Sequence, residues 1–324
     1  MPRSMATRLT GSPPHGSVRA GRNTSLSNGC GVIDRLLPAE RLLLATETTA
    51  IGTFACEPHD RGFSGGSPST SHCIVFSRTP VWIQHEGDTR YVADPAVVTF
   101  HTRGRPYRRW RIADAGDRCD WIAFRDDVVR EAIRPWAPRL ADAEQAAFPF
   151  QFTSAVPAVY ARQRRLVRRL IDTTIESFEG EEETSGLLHA VVAQAFGRPG
   201  RRCSPSQRDA VMHAREIIAK APQRPLRLSA LSAAVGLSRY QLCRWFARLS
   251  GETMSAYRLR LRLLSSLEQI CAGEDLSAIA LAYGFDSHSH FTAAFRRAFG
   301  VPPSRFRGAR CGHGVCHPIA IRRM

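Results

Sequence analysis

The spacing of apolar residues changes character along this 324-residue chain. From about residue 31 to 124, β-branched, aromatic and other apolar residues fall in short runs, at 72–76, 81–85, 91–92, 97–101 and 119–124. Turn-forming Ser-Gly-Gly, Glu-Gly-Asp, Ala-Asp-Pro and Arg-Gly-Arg-Pro stretches punctuate them. Many short strands so arranged predict a small β-barrel or sandwich. Past Phe124 the period becomes helical. Asp126 and Asp127, followed by Val128, Val129 and Ile133, predict a short helix with acids in its first turn, ending near Pro135. Val159, Leu166, Val167, Leu170, Ile171, Ile175 and Phe178 then mark one side of a longer amphipathic segment, with Arg164, Arg165, Arg168, Arg169 and Asp172 on the rest. That stripe is expected to pack on the strands or to form a subunit interface. A third helix is expected over 181–196.

Residues 197–203, Gly-Arg-Pro-Gly-Arg-Arg-Cys, lack an apolar anchor and read as an interdomain linker, extending to about residue 205. Ser204-Pro205-Ser206-Gln207 then places Ser at a helix cap, Pro at the first helical position and Gln three residues after Ser. This predicts a capping box, and the stripe Ala210, Ala214, Ile217, Ile218 continues the helix. The first 30 residues, rich in Ser, Gly, Pro, Arg and Asn, read as a disordered leader, with Met5 an alternative start; 309–324 read as a flexible basic tail. The expected organisation is a two-domain α+β chain. Residues 31–196 form a β-barrel with flanking helices, and 206–308 form an all-α domain.

The second domain contains one pattern twice. The first copy holds Leu231, Gly236, Ser238, Leu242, Phe246, Gly251, Tyr257 and Arg258; the second holds Ile279, Gly284, Ser287, Phe291, Phe295, Gly300, Phe306 and Arg307. Measured from each serine, the offsets of the remaining five residues agree, and Asp286 is the one insertion. Each copy reads as helix, tight turn, helix: Gly236 and Gly284 end one helix in the left-handed conformation, and Ser238 and Ser287 cap the next. In the capped helices Leu242, Trp245, Phe246 and Leu249, and then Phe291, Ala294, Phe295 and Phe299, should face the core. Arg239, Tyr240, Gln241, Cys243, Arg244, Ala247 and Arg248 are left outward in the first copy, and His288, Ser289, Thr292, Ala293 and Arg296 in the second. This is the helix-turn-helix layout, whose second helix enters a major groove. A helix from about 253 to 272 joins the copies and spans roughly 30 Å at 1.5 Å per residue, close to one DNA turn.

Charge sharpens this picture. The chain carries 45 Lys+Arg against 29 Asp+Glu, of which 20 basic and 7 acidic residues lie from Arg201 onward. The C-terminal third is thus a concentrated cation, as expected of a domain that meets a polyanion. Nine scattered cysteines without an export signal argue against a disulfide framework. Cys311, His313, Cys316 and His317 cluster in the tail, too cramped for an ordinary zinc site, and no metal or other cofactor is expected. No apolar run is long enough for a membrane span, so a cytoplasmic protein is expected.

Residues 206–308 resemble the DNA-binding domain of the AraC/XylS family of bacterial transcription regulators. The likeness rests on Ala280-Leu-Ala-Tyr-Gly-Phe-Asp-Ser287 and on His290-Phe-Thr-Ala-Ala-Phe-Arg-Arg-Ala-Phe-Gly-Val-Pro-Pro-Ser-Arg-Phe-Arg307. The resemblance implies that Tyr240 and Arg244 sit where first-helix base contacts are made, with Cys243 beside them. Where many members carry Arg in the second reading helix this chain has Ala293, and Ser266 replaces the usual Ala of the linker helix. The first copy is therefore expected to dominate discrimination, while the second supplies phosphate contacts and shape fit.

The N-terminal half resembles the family's cupin-type sensory domain through His72-Cys-Ile-Val-Phe76, Ala93-Asp-Pro95 and Asp117-Arg-Cys-Asp-Trp-Ile-Ala-Phe124. His72, His85 and His101 stand singly, without the paired ligands of a metal cupin. His101, Arg103, Tyr107 and Trp121 are candidates to line a small-molecule cavity. The leading expectation is a non-enzymatic regulator of transcription that binds double-stranded DNA. A small-molecule effector, a homodimer and, for an activator, RNA polymerase are the further partners expected. A cupin-type enzyme fused to a DNA-binding module and an unregulated DNA-binding protein are the alternatives.

Overall fold

The computed structural model describes residues 32–307, apart from 34–35, 37–38, 58, 61–62, 64–66, 113–115, 144–146 and 198–202. Ten strands come first: β1 (Glu40–Ala45), β2 (Thr49–Cys56), β3 (Ser67–Pro68), β4 (His72–Ser77), β5 (Val81–His85), β6 (Tyr91–Ala93), β7 (Val97–His101), β8 (Pro106–Arg111), β9 (Asp117–Phe124) and, later, β10 (Phe152–Ser154). They make a six-stranded sheet in the order β1-β2-β9-β4-β7-β10 and a four-stranded sheet in the order β3-β8-β5-β6. Pairing within both is antiparallel, and no pairing among the described residues closes them into the expected barrel. Every residue of β7 is buried, so the strand runs through the interior rather than along a half-wet face.

Register assigns the faces. Thr99 pairs with Val75, and Val75 pairs with Trp121, so these three and their neighbours two residues on, including His101, share one face of the large sheet. That face meets the small sheet, where His101 contacts Tyr107 and His85. The opposite face carries Asp120, Phe76 and Ile122 and is covered by a helix.

The helices of this half are α1 (Asp126–Ile133), α2 (Pro138–Ala141), α3 (Pro157–Ile171) and α4 (Ser177–Phe196). The long stripe expected from Val159 to Phe178 is interrupted. α3 stops after Ile171, Thr173 takes a left-handed φ of 52°, and α4 begins anew at Ser177. Phe178 is consequently 78% exposed, and Ile171 is exposed too. Arg164, assigned to the polar side, is buried because its guanidinium and the Gln163 amide both donate to Asp120 on the sheet. Leu166, Val167 and Leu170 supply the expected apolar contact.

The helical domain comprises α5 (Pro205–Lys220), α6 (Leu228–Ala234), α7 (Arg239–Ser250), α8 (Met254–Ala272), α9 (Leu276–Ala282), α10 (His288–Phe299) and α11 (Pro303–Arg307). The capping box on α5 is present, with Ser204 Oγ accepting from the Gln207 N–H and the Gln207 side chain accepting from the Ser204 N–H. α6-turn-α7 and α9-turn-α10 are the two copies, and α8 joins them. The two domains touch through α8 and also through α5 and α11. Arg260 donates to the carbonyls of Ala96 and Ala155, and Glu268 pairs with Arg78. Arg165 of α3 lies 5.6 Å from the ring centre of Phe306 in α11.

Candidate nucleic-acid interface

The two copies repeat in conformation as well as in sequence. Gly236 and Gly284, in the turns, have φ of 69° and 75°, and Gly251 and Gly300, after the second helices, both have φ of 76°. Ser238 and Ser287 cap α7 and α10 by accepting from the N–H groups of Gln241 and His290. Gln241 completes a capping box on α7, so its side chain is turned back to the Ser238 N–H. Each cap starts its helix at a fixed residue and thereby sets which side chains face outward.

On α7, Leu242 and Phe246 are buried, Trp245 and Leu249 are half-buried, and Arg239, Tyr240, Gln241, Cys243 and Arg244 are exposed. Tyr240 is 74% exposed. Trp245 is flanked by two guanidiniums, Arg244 at 5.7 Å and Arg248 at 5.3 Å from the ring centre. The indole thus serves as a platform for both cations at the helix surface. On α10, Phe291, Ala294, Phe295 and Phe299 are buried, while His288, Ser289, Ala293 and Arg296 are exposed and Thr292 is half-buried. Thr292 Oγ1 lies 3.5 Å from His288 Nε2, and His290 Nδ1 lies 3.4 Å from Asp286.

Elsewhere some arginines meet carboxylates, as in Arg125–Asp127, Arg134–Asp142 and Arg168–Asp172, while exposed Arg108, Arg139 and Arg227 have no carboxylate partner among the described residues. Among the described residues no carboxylate pairs with Arg239, Arg244, Arg248, Arg296 or Arg297. α8, with 19 residues, is about 28 Å long at 1.5 Å per residue, a spacer on the scale of one helical repeat of duplex DNA.

The four residues singled out in the sheet domain do not gather in one place. His101 and Tyr107 touch, with ring centres 4.5 Å apart, and the interior adds His85 at 4.9 Å from His101. Trp121 is buried on the same sheet face, against Gly52, where a Cβ would come within 2.3 Å of the indole. Arg103 is exposed, and its backbone N–H lies 3.4 Å from His72 Nδ1. Burial drives the imidazole pKa values down, His85 to about 4 and His101 well below its usual range. Arg105 depresses His85 further, and His85 and Arg109 depress His101. Among the described residues no group of three or more His, Cys, Asp or Glu is placed to hold a metal ion. No helix among them is long and apolar enough to cross a membrane. Cys311, His313, Cys316 and His317 lie outside the described residues.

Sequence reasoning missed the polar cluster that joins the domains. Asp94, in the turn after β6, accepts from Tyr257 Oη at 2.5 Å and from Arg215 Nη2 at 3.1 Å; all three residues are buried. Its other oxygen accepts from the Ala96 N–H. Asp94 had registered only as part of an Ala-Asp-Pro turn and Tyr257 only as a repeat position; no local signal connects residues so far apart in the chain.

Residues 231–309 match the family model described as a helix-turn-helix domain. The HTH-type transcriptional regulator GbdR of Pseudomonas aeruginosa is 34% identical over 101 residues, which cover 31% of this chain and 26% of GbdR. The multiple antibiotic resistance protein MarA of Salmonella typhimurium is 32% identical over 85 residues, 26% of this chain and 66% of MarA. The match therefore spans about a quarter of GbdR and just under two thirds of MarA. Among solved structures, an AraC-type DNA-binding domain protein from Chromobacterium violaceum is similar at 28% identity, over 34% of this chain and 100% of that one, with a TM-score of 0.31.

Proposed function

Because the C-terminal domain of this chain is a helix-turn-helix domain of the AraC/XylS type, we propose that the protein is a transcription regulator that reads duplex DNA through α7 and α10. The observation that carries this reading is the pair of capped helices that repeat in conformation and turn Arg239, Arg244, Arg248, Arg296 and Arg297 outward without carboxylate partners among the described residues. Arg244 presents a guanidinium able to bond two acceptors on a guanine edge, and Tyr240 can contact a thymine methyl or a phosphate. On α10 the short side chains of Ser289, Thr292 and Ala293 suit shape fit, with Arg296 directed to the backbone. Residues 206–308 form the DNA-binding domain in this reading and 31–196 the sensory one, with 197–205 between them. A small-molecule effector is assigned to the interior where His85, His101 and Tyr107 meet. A second copy of the chain and RNA polymerase are its further partners, and catalysis forms no part of its work.

The test is to incubate purified protein with randomised duplex DNA and sequence the retained fragments. The reading requires an enriched motif with two half-boxes about one helical turn apart. Arg244→Ala should flatten preference at one position, costing about 1–3 kcal/mol of discrimination there. Retention of random duplex without enrichment would overturn the proposal.

A further inference from the structure

Where α5 rests on the small sheet, a cavity of about 430 Å³ stays open between the two domains. Trp82 of β5 and Arg90, just before β6, belong to one wall; Asp209, His213 and Glu216 of α5 belong to the other, with Val235 just past α6. His85 of β5 turns inward to His101, so Trp82, an odd number of residues away, lies on the outer face of that sheet. The cavity is thus separate from the interior where the imidazoles meet. Spaces of this volume at domain boundaries are frequent small-molecule sites.

The two walls carry opposite charge and do not pair with each other. The Arg90 guanidinium lies over the Trp82 ring, 4.7 Å from its centre, and has no carboxylate partner among the described residues. Asp209 and Glu216, at i and i+7, share one face of α5 with His213 between them, and neither carboxylate has a cationic partner among the described residues. Trp82 is only 6% exposed, yet its indole N–H keeps access to solvent and has no hydrogen-bond partner among the described residues. A donor on so buried a side chain opens on the cavity that the residue lines, and it lacks an acceptor there. Opposite charges held apart across a gap are bridged by a molecule that carries both.

We propose that this cavity binds a small zwitterion, an aliphatic α-amino acid, with its carboxylate on Arg90 and the Trp82 N–H, its ammonium on Asp209 and Glu216, and its side chain toward Val235. The lining excludes the simpler choices. A purely cationic ligand leaves Arg90 and the indole N–H unanswered, and a purely anionic one faces two carboxylates. The site adjoins the buried cluster that joins the domains: Arg215 precedes Glu216 on α5, and Asp94 lies two residues past Val92, the β6 partner of Trp82. An occupant bonded to both walls therefore holds α5 against the sheet and stabilises the docked arrangement. Any consequence for DNA rests on the regulator reading above; binding itself does not.

The probe is L-leucine, titrated calorimetrically into the full chain without DNA. Two controls of nearly the same shape accompany it: 4-methylpentanoate, which lacks the ammonium, and L-leucinamide, which lacks the carboxylate. Leucine is expected to bind at millimolar concentration or below and to raise the melting temperature, and each control to bind about tenfold more weakly. Arg90→Gln should erase the advantage of leucine over leucinamide, and Asp209→Asn combined with Glu216→Gln its advantage over 4-methylpentanoate. Trp82→Phe, which keeps a ring beneath Arg90 and removes the N–H, should weaken leucine about fivefold. No leucine binding at millimolar concentration, equal binding of either control by the parent chain, or an affinity unchanged in all these variants would each overturn the proposal. The comparison of leucine with its controls needs no substitution, so it decides the matter even if a variant folds poorly. Fragment enrichment by the unliganded protein tests the regulator reading separately, so failure of one is told apart from failure of the other.

Discussion

Two imidazoles buried against each other make the stability of the sheet domain depend on pH in one direction. His85 Nε2 lies 3.4 Å from His101 Nδ1, and the remaining ring nitrogen of His85 is buried without a hydrogen-bond partner among the described residues. Neither ring can take a proton cheaply in the folded chain, since a charge there would be desolvated beside Arg105 or Arg109. An imidazole held at about 4 when folded, against about 6.5 when unfolded, is protonated first in the unfolded state. Stability from His85 is therefore intact above about pH 6.5 and lost as pH falls toward about 4, with an upper limit of roughly 3 kcal/mol. His101 and His72 are shifted in the same direction and steepen the loss. Melting temperature followed from neutral pH downward should drop for the parent chain. It should drop less steeply for His85→Phe, whose ring can lie against Tyr91 and Tyr107 as the imidazole does. Identical slopes would show that these imidazoles do not set the acid limit. Nothing in the sequence around His85 or His101 announced the pair. Each stands alone in its strand, and only the packing of two sheets brings them together.

At the scale of elements, legibility followed the range of the interactions. The helices α7 and α10 were readable to within a residue because caps, turn glycines and apolar spacing are all local. The segment from α3 to α4 was not, because its apolar period carries across the break at Thr173, and the break is decided by how α4 folds back on α3. Strands β1, β2, β8 and β10 gave no clear signal, whereas β7, buried on both faces and so without alternation, is still legible as the β-branched and aromatic run 97–101. The turn glycines allow a contrast between two positions that look equivalent in sequence. Around Gly236 an added Cβ would meet nothing within 4 Å, whereas at Gly284 it would lie 2.7 Å from the Gln223 carbonyl oxygen. Both have a left-handed φ, so Gly236→Ala should cost about 1–2 kcal/mol from the backbone alone. Gly284→Ala should cost distinctly more, because the turn and the backbone at Gln223 cannot both keep their places. Thermal melts of the two variants side by side decide it; equal losses would mean that the close approach at Gln223 yields easily.

Across the whole molecule the sheet domain and the helical domain meet through a buried charge that neither half can satisfy alone. Arg215 belongs to α5 and Tyr257 to α8, and both turn to Asp94 in the other domain. The carboxylate and the guanidinium are almost wholly removed from water, so the pair is held by geometry and by the Tyr257 and Ala96 hydrogen bonds. Arg260 and Glu268 extend the same contact along α8, the helix that joins the two helix-turn-helix units. A movement in the sheet domain therefore has a direct mechanical path to the spacing of α7 and α10. Asp94→Ala should strand the Arg215 cation and cost about 3–5 kcal/mol, the usual penalty for breaking a buried pair from one side. Replacing both charges, as in Asp94→Leu with Arg215→Met, should restore most of that loss, since an apolar contact needs no partner. Denaturant unfolding followed by circular dichroism distinguishes the outcomes. If the single and double variants unfold at the same midpoint as the parent, the cluster does not hold the domains together. If the double variant alone recovers, the ion pair tolerates apolar replacement, and the contact rather than the charge couples the domains.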